Sequence, residues 1–522
     1  KVKYEPEIIT TTKTFEKPFD MTQIPVFTLE NREATKYDFN SIELSPDTES
    51  MEMKIDQELV NSLNQYPLES YLQENLNRKI GLFKTASVDE LMRHRYSLTQ
   101  PLTRLASSLH ELALQLFKNL SSYMGDRKSS KPAIKHVMKY LHLTMNSPSD
   151  LKDEAYLQVI RQITNHNDQN KAIRGWNMLA IMASCYAPSG ELYKSLLNFF
   201  KDKARNNDGN PAISQKANYI AIRLFHSFES KRKLIPCEDE IKHIEANTPI
   251  FIEINFFSGG ATSIAIESYT TIHDLKTSVM RKLKLNISRI PYYAIFEICK
   301  RPGRIEERYL DENEKVADIL AIWAKESKDF ADAEQERHPN NPGEIDFKFY
   351  IKILLFYPYN PEDVDTVTML FVQTCFDVTR GKFQLTREEI EKLGALQLFI
   401  NHGTKSHEEI EKILERDLKH YVPPQYFKLF GTGWKQEIMD AFMTLQFKKK
   451  LDAKNAYLDI IKNNPQFESS QLAVTYSKYN SVTSNSRKEL NPDHFPSNCI
   501  VAIKQKEIVI ADEARNELKR IP

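Results

Sequence analysis

The chain has 522 residues, 41% of them hydrophobic, and its 71 Lys and Arg balance its 71 Asp and Glu. This length is too great for one hydrophobic core and predicts roughly three or four domains. The five cysteines form no CxxC pair, which argues against structural zinc and a disulfide framework, and no apolar run is long enough to suggest a membrane span. We therefore expect a cytoplasmic protein that needs no metal or other cofactor.

The neutral total conceals a segregation of charge. Residues 1–67 carry 7 Lys and Arg against 13 Asp and Glu, whereas residues 68–235 carry 25 against 14. The remainder, 236–522, carries 39 against 44. A strongly basic segment within a neutral chain predicts an acidic partner. The acidic leader is itself a candidate to shield that segment.

Residues 1–66 are rich in proline and lack sustained periodicity, which predicts an extended N-terminal extension. Apolar side chains such as Phe15, Phe19 and Phe27 favour packing of this extension on the folded part. The alternative is a poorly ordered leader.

Residues 67–235 show helical periodicity almost throughout. The spacing predicts a helix over Leu102–Leu120, with Pro101 in its first turn, and three successive helices within Leu151–Phe200. Trp176 is expected to anchor several helices, and Gly175 beside it to allow a close helix contact rather than to form a phosphate loop.

The order of several residues in this region is similar to the signature of the MyTH4 domain. The signature elements are Asp153-Glu154-x-Tyr156-x-Gln158, then Arg174-Gly175-Trp176, then Pro188. MyTH4 domains occur in the tails of unconventional myosins, classes VII, X and XV among them, and in a plant kinesin. The resemblance implies an all-α helical bundle with these residues as structural elements, and a FERM module directly after it.

After Pro236 the period changes from helical to alternating. Strands at Pro249–Phe257 and Thr262–Glu267 around a Gly259-Gly260 turn, then a helix at Ile272–Leu285 and a strand at Tyr292–Ile298, predict a ubiquitin-like α+β lobe over 246–335. The polar stretch 330–346 is predicted to be a linker.

Residues 345–465 resemble the helical, acyl-CoA-binding-protein-like second lobe of FERM modules. The resemblance rests on Leu370-Phe371-Val372-Gln373, on Asp377–Lys382 and on Leu393–Leu398. Within this lobe, Trp434–Lys450 taken alone could be a calmodulin target or a membrane-surface helix. We favour the alternative that Trp434 and its helical neighbours belong to the core.

Residues 466–522 resemble the start of a PH- or PTB-like β lobe. Strands are predicted at Leu472–Tyr476, Cys499–Ile503 and Glu507–Ala511. Such a lobe normally needs about 90 to 100 residues, so we expect an incomplete third lobe and assign no residues of a peptide groove.

Clusters of lysine and arginine in the MyTH4 segment are the candidate partner-binding surface. Single clusters are often solvated helix ends, but the imbalance over the whole segment favours a binding function. The loops lack interleaved aromatic residues, which argues against nucleic acid. The candidates are Arg127, Lys128, Lys131, Lys135, Lys201, Lys203, Arg205, Lys231, Arg232 and Lys233.

The resemblance implies a non-catalytic tail module of a class VII-like myosin, at the cell cortex or in filopodia. MyTH4 would bind microtubules or another acidic filament, and FERM would bind peptide tails of adhesion or adaptor proteins. Contact with the parent motor is a further possibility, and membrane contact would be indirect at most. The alternatives are the equivalent module of a kinesin or of a motor-less adaptor. The sequence contains no P-loop, GxSxG, HExxH or kinase motif, so we predict no catalytic residue and place any motor ATPase outside these residues.

Overall fold

The protein is described from a computed structural model with four successive folded parts. The described residues are 63–80, 84–205, 211–257, 260–283, 285, 287–302, 304–337, 345–354, 359–379, 381–423, 425–427, 433–464, 467, 470–475, 498–503, 508–511 and 517–521. The predicted extension 1–66 therefore lies almost wholly outside them.

The first part is a helical bundle. It begins with a short 3-10 turn, Leu63–Gln65, and includes a small hairpin of β1 (Lys79–Ile80) and β2 (Lys84–Thr85). Its helices are α1 (Leu68–Asn75), α2 (Val88–Met92), α3 (Ser107–Met124), α4 (Ala133–Thr144), α5 (Ser149–Ile163), α6 (Gln169–Cys185), α7 (Gly190–Arg205), α8 (Pro211–Glu229) and α9 (Glu238–Ala246). Helices α5 and α6 form its centre, because α5 is buried along nearly its whole length and α6 is buried over most of Gly175–Cys185.

The helix predicted from Leu102 begins only at Ser107. Leu102 and Thr103 instead have their backbone N–H groups bound to the carboxylate of Glu154, and Thr103 forms a bridge with Leu76. The prediction that Pro101 lies in the first helical turn is therefore wrong. The contacts with Glu154 and Leu76, both distant in sequence, hold these two residues outside the helix.

The second part is a five-stranded sheet packed against a helix. Its elements are β3 (Ile250–Asn255), β4 (Ala261–Ile266), α10 (Ile272–Lys282), β5 (Tyr293–Arg301), β6 (Arg304–Tyr309), α11 (Val316–Arg337) and β7 (Asp346–Ile353). The sheet order is β4-β3-β7-β5-β6, with β3 and β7 parallel and the other pairs antiparallel. The predicted hairpin and helix are present, with Thr271 and Asp274 forming a capping box; Gly259 of the predicted turn lies outside the described residues.

The five-stranded lobe ends later in the sequence than predicted. Helix α11 continues to Arg337, into the predicted linker, and β7 is the central strand of the sheet. The predicted boundaries at 335 and 345 are therefore wrong, since the lobe includes Ile353. Local pattern indicates an extended stretch at Phe347–Tyr357 but could not assign β7 to this sheet, because its partners β3 and β5 precede it by about 50 to 100 residues.

The third part is helical. Its elements are α12 (Val364–Thr379), α13 (Arg387–His402), α14 (His407–Asp417), α15 (Trp434–Met443) and α16 (Lys450–Lys462). Trp434 is 1% exposed and belongs with Ile438 and Phe442 to a core shared with the second part. The core interpretation of Trp434 is confirmed, and the amphipathic stretch is not a free surface helix.

The fourth part is an antiparallel sheet in the order β11-β10-β9-β8. Its strands are β8 (Ser470–Thr475), β9 (Asn498–Ile503), β10 (Ile508–Ala511) and β11 (Glu517–Ile521). The first three lie where the sequence predicts strands, and β11 was not predicted. Among the described helices, none has the length and apolarity to cross a membrane.

Candidate partner-binding surface

The signature residues of the helical bundle are buried scaffold elements. Both carboxylate oxygens of Glu154 are engaged: Oε1 accepts from the Leu102 backbone (2.9 Å) and from Gln158 Nε2 (2.9 Å). Oε2 accepts from the Thr103 backbone and hydroxyl, both at 2.7 Å. Gln158 also donates to the Ala113 carbonyl on α3. A fully buried charge with this many donors fixes the chain before α3 to α5.

Other signature residues fasten neighbouring segments in the same way. Asp153 accepts from the Ser189 backbone (2.7 Å) and from the hydroxyl of Tyr71 (3.0 Å). The Tyr156 hydroxyl donates to the Tyr186 carbonyl at 2.7 Å, and Pro188 is buried. The contacts of these motif residues therefore join segments of the bundle to one another, which is a structural role.

Gly175 and Trp176 permit the tight packing of α6. A Cβ on Gly175 would lie 2.4 Å from Ile163 Cγ2 and 3.1 Å from Met124 Cε. Trp176 is 6% exposed, and its ring lies 6.3 Å from Phe199 and 6.2 Å from Phe200. The glycine thus allows close contact of three helices, and the tryptophan joins α6 to α7.

These contacts bring several helix ends to one end of the bundle. Arg174, in the second turn of α6, donates to the Tyr123 carbonyl near the end of α3. Trp176, near the middle of α6, contacts Phe199 and Phe200, which precede the last turn of α7, so that turn lies toward the start of α6. At the other end, the Arg232 backbone N–H donates to the Cys185 carbonyl. Since α6 has 17 residues, the two ends are about 25 Å apart.

Most of the predicted cations gather at the first of these ends, which we call the basic end. They come from the segment after α2, the α3–α4 loop, the start of α6 and the end of α7. The basic end comprises Arg93, Arg95, Arg127, Lys128, Lys131, Lys171, Arg174, Lys201, Lys203 and Arg205. All are exposed or partly exposed. Sequence clusters had not singled out Lys171 and Arg174 for binding, because only the packing of α6 places them here.

Among the described residues, the carboxylates at this end are fewer than the cations. Asp168 and Asp202 are exposed there, the buried Asp126 lies 3.3 Å from Lys171 Nζ, and Glu90 pairs with Arg95. Burial lowers the pKa of His136, and the neighbouring Lys139, Lys131 and Arg127 lower it further. The surroundings of His136 are therefore electropositive.

Lys135, also a predicted contact, is turned away from this surface. Its Nζ lies 3.2 Å from Glu238 of α9. The ion pair neutralises part of its charge, so we place Lys135 at the margin of the basic end.

A buried cluster supports the loop that carries Arg93 and Arg95. His94 Nε2 lies 3.2 Å from Asp126 Oδ2, and His166 Nε2 lies 3.2 Å from Asp126 Oδ1. Burial by itself raises the pKa of Asp126, but hydrogen bonds from His94 and His166 outweigh it, and the net pKa is below the usual value. The His94 backbone also donates to the Thr164 carbonyl, which fixes the loop to the end of α5.

His94, His166 and Asp126 together are a possible metal-binding set. Their ring nitrogens instead make hydrogen bonds with the Asp126 carboxylate. The Asp168 backbone N–H donates to His166 Nδ1 at 2.9 Å, so in the neutral ring the proton is on Nε2 and faces Asp126. Lys171 Nζ is also 3.3 Å from that carboxylate. The donor set is already satisfied and does not fit a cation.

The predicted run Lys231-Arg232-Lys233 lies at the opposite end of the bundle. Arg232 is buried, with an ion pair to Glu240 and its Nε 2.7 Å from Asp318 Oδ1. Burial lowers its pKa, but these two carboxylates reverse the effect and raise it. Arg232 as a partner contact is therefore wrong: it is an internal charge, and only Lys231 and Lys233 are exposed.

The Arg232 network joins the helical bundle to the five-stranded lobe. Asp318 also accepts from the Lys233 and Leu234 backbones at 3.1 Å. Ser268 donates to Glu240 at 2.8 Å, and further contacts are Arg223–Glu267 and Lys315 with the Ser230 carbonyl. Several polar contacts on both sides of the junction hold the two parts in one arrangement.

Comparison with known families agrees with this architecture. Residues 138–243 match the MyTH4 domain, residues 248–353 the RA-like domain and residues 358–470 the FERM central domain. The RA-like match ends at Ile353, the last residue of β7. The class defined by fold and sequence is thus a helical MyTH4 domain followed by a FERM-like region.

The chain therefore contains a MyTH4 domain followed by a FERM central domain, and its sequence is similar to those of motor proteins. It is 24% identical to Kinesin-like protein KIN-14I of Oryza sativa subsp. japonica, covering 82% of this chain and 36% of the relative. It is 23% identical to Myosin-VIIa of Drosophila melanogaster, covering 80% of this chain and 18% of the relative. The chain thus spans about a third or less of the length of these relatives.

Solved structures show the same fold. The MyTH4-FERM MF1 domain of Dictyostelium discoideum myosin VII, in a mutant form, superposes with a TM-score of 0.71 at 19% identity, covering 88% of this chain and 89% of that one. The C-terminal MyTH4-FERM domain of human myosin 7b, in complex with the harmonin-a PDZ3 domain, gives 0.61 at 20% identity and 88% of each chain.

Proposed function

We propose that this chain is the non-catalytic tail module of a class VII-like myosin, and that its basic end binds an acidic filament such as a microtubule. The convergence of cations from four separate elements on one end of the bundle carries this proposal. Sequence clusters alone would have left them as unrelated helix ends.

The proposed binding to an acidic filament is electrostatic, so its strength depends on the number of ion pairs and on the salt concentration. Exposed ion pairs are worth about 1 kcal/mol or less each, so several must act together. The Debye length is about 8–10 Å at physiological salt, so cations must lie close together on one surface to act on the same partner. Binding should therefore weaken steeply as salt rises.

The FERM part is proposed to bind peptide tails of adhesion or adaptor proteins. The myosin 7b relative is a complex with a PDZ domain of harmonin, which supports an adaptor as one class of partner. A location at the cell cortex or in filopodia, and contact with a parent motor, belong to the same proposal.

A kinesin tail is the second candidate, favoured by the similarity to a rice kinesin-like protein. Both candidates are motor tails with the same module. Sequencing the parent transcript distinguishes them, since a myosin head and a kinesin head carry different nucleotide-binding sequences.

The proposal is tested by charge reversal at the basic end. Arg127→Glu, Lys128→Glu and Lys131→Glu together should weaken co-sedimentation with microtubules by about tenfold or more, since tenfold corresponds to about 1.4 kcal/mol. These residues are exposed, so the fold should be retained. The matched control reverses Lys412, Lys448 and Lys449, which are exposed on the helical FERM lobe, and should bind as the wild type does. Equal binding by both variants would refute the electrostatic proposal.

A further inference from the structure

We infer that residues 41–62 of this chain, which we call the acidic segment, dock on the basic end and compete there with acidic partners. This inference concerns the same surface as the proposed function but does not depend on the filament being a microtubule.

The direction of the chain at Leu63 is the first observation. Asn64 Oδ1 accepts from Lys201 Nζ at 3.2 Å, and the Tyr66 hydroxyl accepts from Lys194 Nζ at 3.4 Å. Lys201 lies two turns closer than Lys194 to the end of α7. The chain from Asn64 to Tyr66 therefore runs antiparallel to α7, starting from the side of the basic end.

Packing fixes this entry point. Leu63 is 3% exposed and belongs to the core of the bundle. The Tyr66 ring also lies 4.7 Å from Lys194 Nζ, a cation–π contact. Residue 62 is thus joined to a buried residue near Lys201, and the acidic segment begins beside the cations that it would meet.

The distribution of charge within the leader is the second observation. The acidic segment contains six carboxylates and a single basic residue, Lys54. Residues 1–40 are nearly balanced, with six basic and seven acidic side chains. The carboxylates of the acidic segment are Glu43, Asp47, Glu49, Glu52, Asp56 and Glu58. The net negative charge is concentrated in the part of the leader nearest the basic end.

Reach and tethering favour this occupant over a second molecule. Twenty-two residues span up to about 75 Å when extended, three times the length of α6. A covalently tethered ligand has an effective concentration on the order of millimolar. The acidic segment of a second copy would have to compete with this tethered one, and at micromolar protein its concentration would be far below that value.

The consequence is competition. When the acidic segment occupies the basic end, an acidic partner binds only the open fraction, and its apparent affinity falls in that proportion. Neutralising the acidic segment should therefore strengthen binding of any acidic partner, with the basic end itself unchanged.

Carbodiimide crosslinking of the full chain tests the contact directly, because it joins carboxylates to lysines within ion-pair distance. At low salt we expect crosslinks from the acidic segment to Lys128, Lys131, Lys171 or Lys203, located by mass spectrometry and lost at high salt. Crosslinks that form equally well to Lys412, Lys448 and Lys449 would overturn the inference.

Competition is tested with a poly-glutamate peptide as the acidic probe. Neutralising the six carboxylates of the acidic segment (E43Q, D47N, E49Q, E52Q, D56N and E58Q) should raise probe affinity by about three- to tenfold. The matched control neutralises six carboxylates of residues 1–40 (E5Q, E7Q, E16Q, D20N, E30Q and E33Q) and changes net charge equally.

Equal affinities for the two variants would contradict the docking of the acidic segment. Both experiments are read without microtubules, so their failure leaves the proposed filament binding standing. Conversely, the protein could show the expected crosslinks and competition and yet fail to bind microtubules. That result would support the docking of the acidic segment and contradict the proposed microtubule binding.

Discussion

At the scale of single residues, the signature of the bundle is explained by buried polar side chains with complete sets of partners. Glu154 is the clearest case, because four donors hold its carboxylate in a position with no exposed surface. The sequence showed a helical face and a family motif, but it could not show these partners. Leu102 and Thr103 lie about 50 residues from Glu154, and no local periodicity links them.

Glu154→Gln should destabilise the bundle by about 2–3 kcal/mol, because the amide brings its own N–H groups against buried donors. Chemical denaturation of the full chain measures this loss. Glu111→Gln, an exposed position on α3, is the control and should change stability by less than about 0.5 kcal/mol. Equal midpoints for the two variants would show that the Glu154 contacts contribute little.

Trp176→Ala should cost about 3–5 kcal/mol, since it removes a large buried ring between α6 and α7. Thermal unfolding of the variant is compared with that of Tyr96→Ala, because Tyr96 is 67% exposed. An unchanged melting curve for Trp176→Ala would mean that the core has been misplaced.

Asp126 predicts an acid dependence of stability. Its pKa is held below the ordinary value of 3.8 by hydrogen bonds from His94 and His166 that outweigh burial, and Lys171 is also close. A depressed carboxyl pKa gives stability that is present above the unfolded value and is lost as pH falls through the folded value. Asp126→Asn should therefore be less stable than the wild type at pH 5, and the gap in urea midpoints should shrink toward pH 3. A gap that widens on acidification would contradict the pKa shift.

At the scale of elements, helical periodicity predicted the helical character of the bundle and of the third part. The predicted end of the bundle at 235 is wrong, because α9 (Glu238–Ala246) also belongs to it. The errors arise where long-range contacts override the local pattern: Glu154 holds the residues before α3, and β7 joins a sheet whose other strands are distant in sequence. A close helix contact at Gly175 was expected from sequence and is confirmed, and the structure identifies the neighbours as Ile163 of α5 and Met124 of α3.

Gly175→Ala should destabilise the bundle by about 1–3 kcal/mol, because the new methyl group would collide with Ile163 and Met124. Gly190→Ala at the start of α7 is the matched control, since nothing lies within 4 Å of a Cβ there. Urea denaturation of both variants measures the difference. Similar stabilities of the two variants would mean that α6 can move away from α3 and α5 with no loss in the free energy of unfolding.

At the scale of the whole molecule, the sequence predicted a strongly basic segment but not where its cations lie on the surface. The excess of cations in residues 68–235 was visible from counting. The packing divides the ten predicted contacts into six at the basic end, Lys135 at its margin, the internal Arg232, and two lysines at the far end of the bundle. Only the structure could assign Arg232 to the junction, because its partners Glu240 and Asp318 belong to α9 and α11.

The junction predicts that the MyTH4 domain and the five-stranded lobe move as one body. Arg232→Met would leave Glu240 and Asp318 without their buried cation, and small-angle scattering should then show a larger, more variable molecule. Lys231→Met, the exposed neighbour, should scatter as the wild type does. Two independently moving bodies in the wild-type protein would contradict the rigid junction.

The central claim is that the acidic filament meets the basic end and not the far end of the bundle. Chemical acetylation of lysines, with and without microtubules, reads both ends in one experiment. We predict that Lys128 and Lys131 lose reactivity when microtubules are added, most clearly with the acidic segment neutralised, while Lys231 and Lys233 keep theirs. Protection of Lys231 and Lys233, with Lys128 and Lys131 unchanged, would contradict the account.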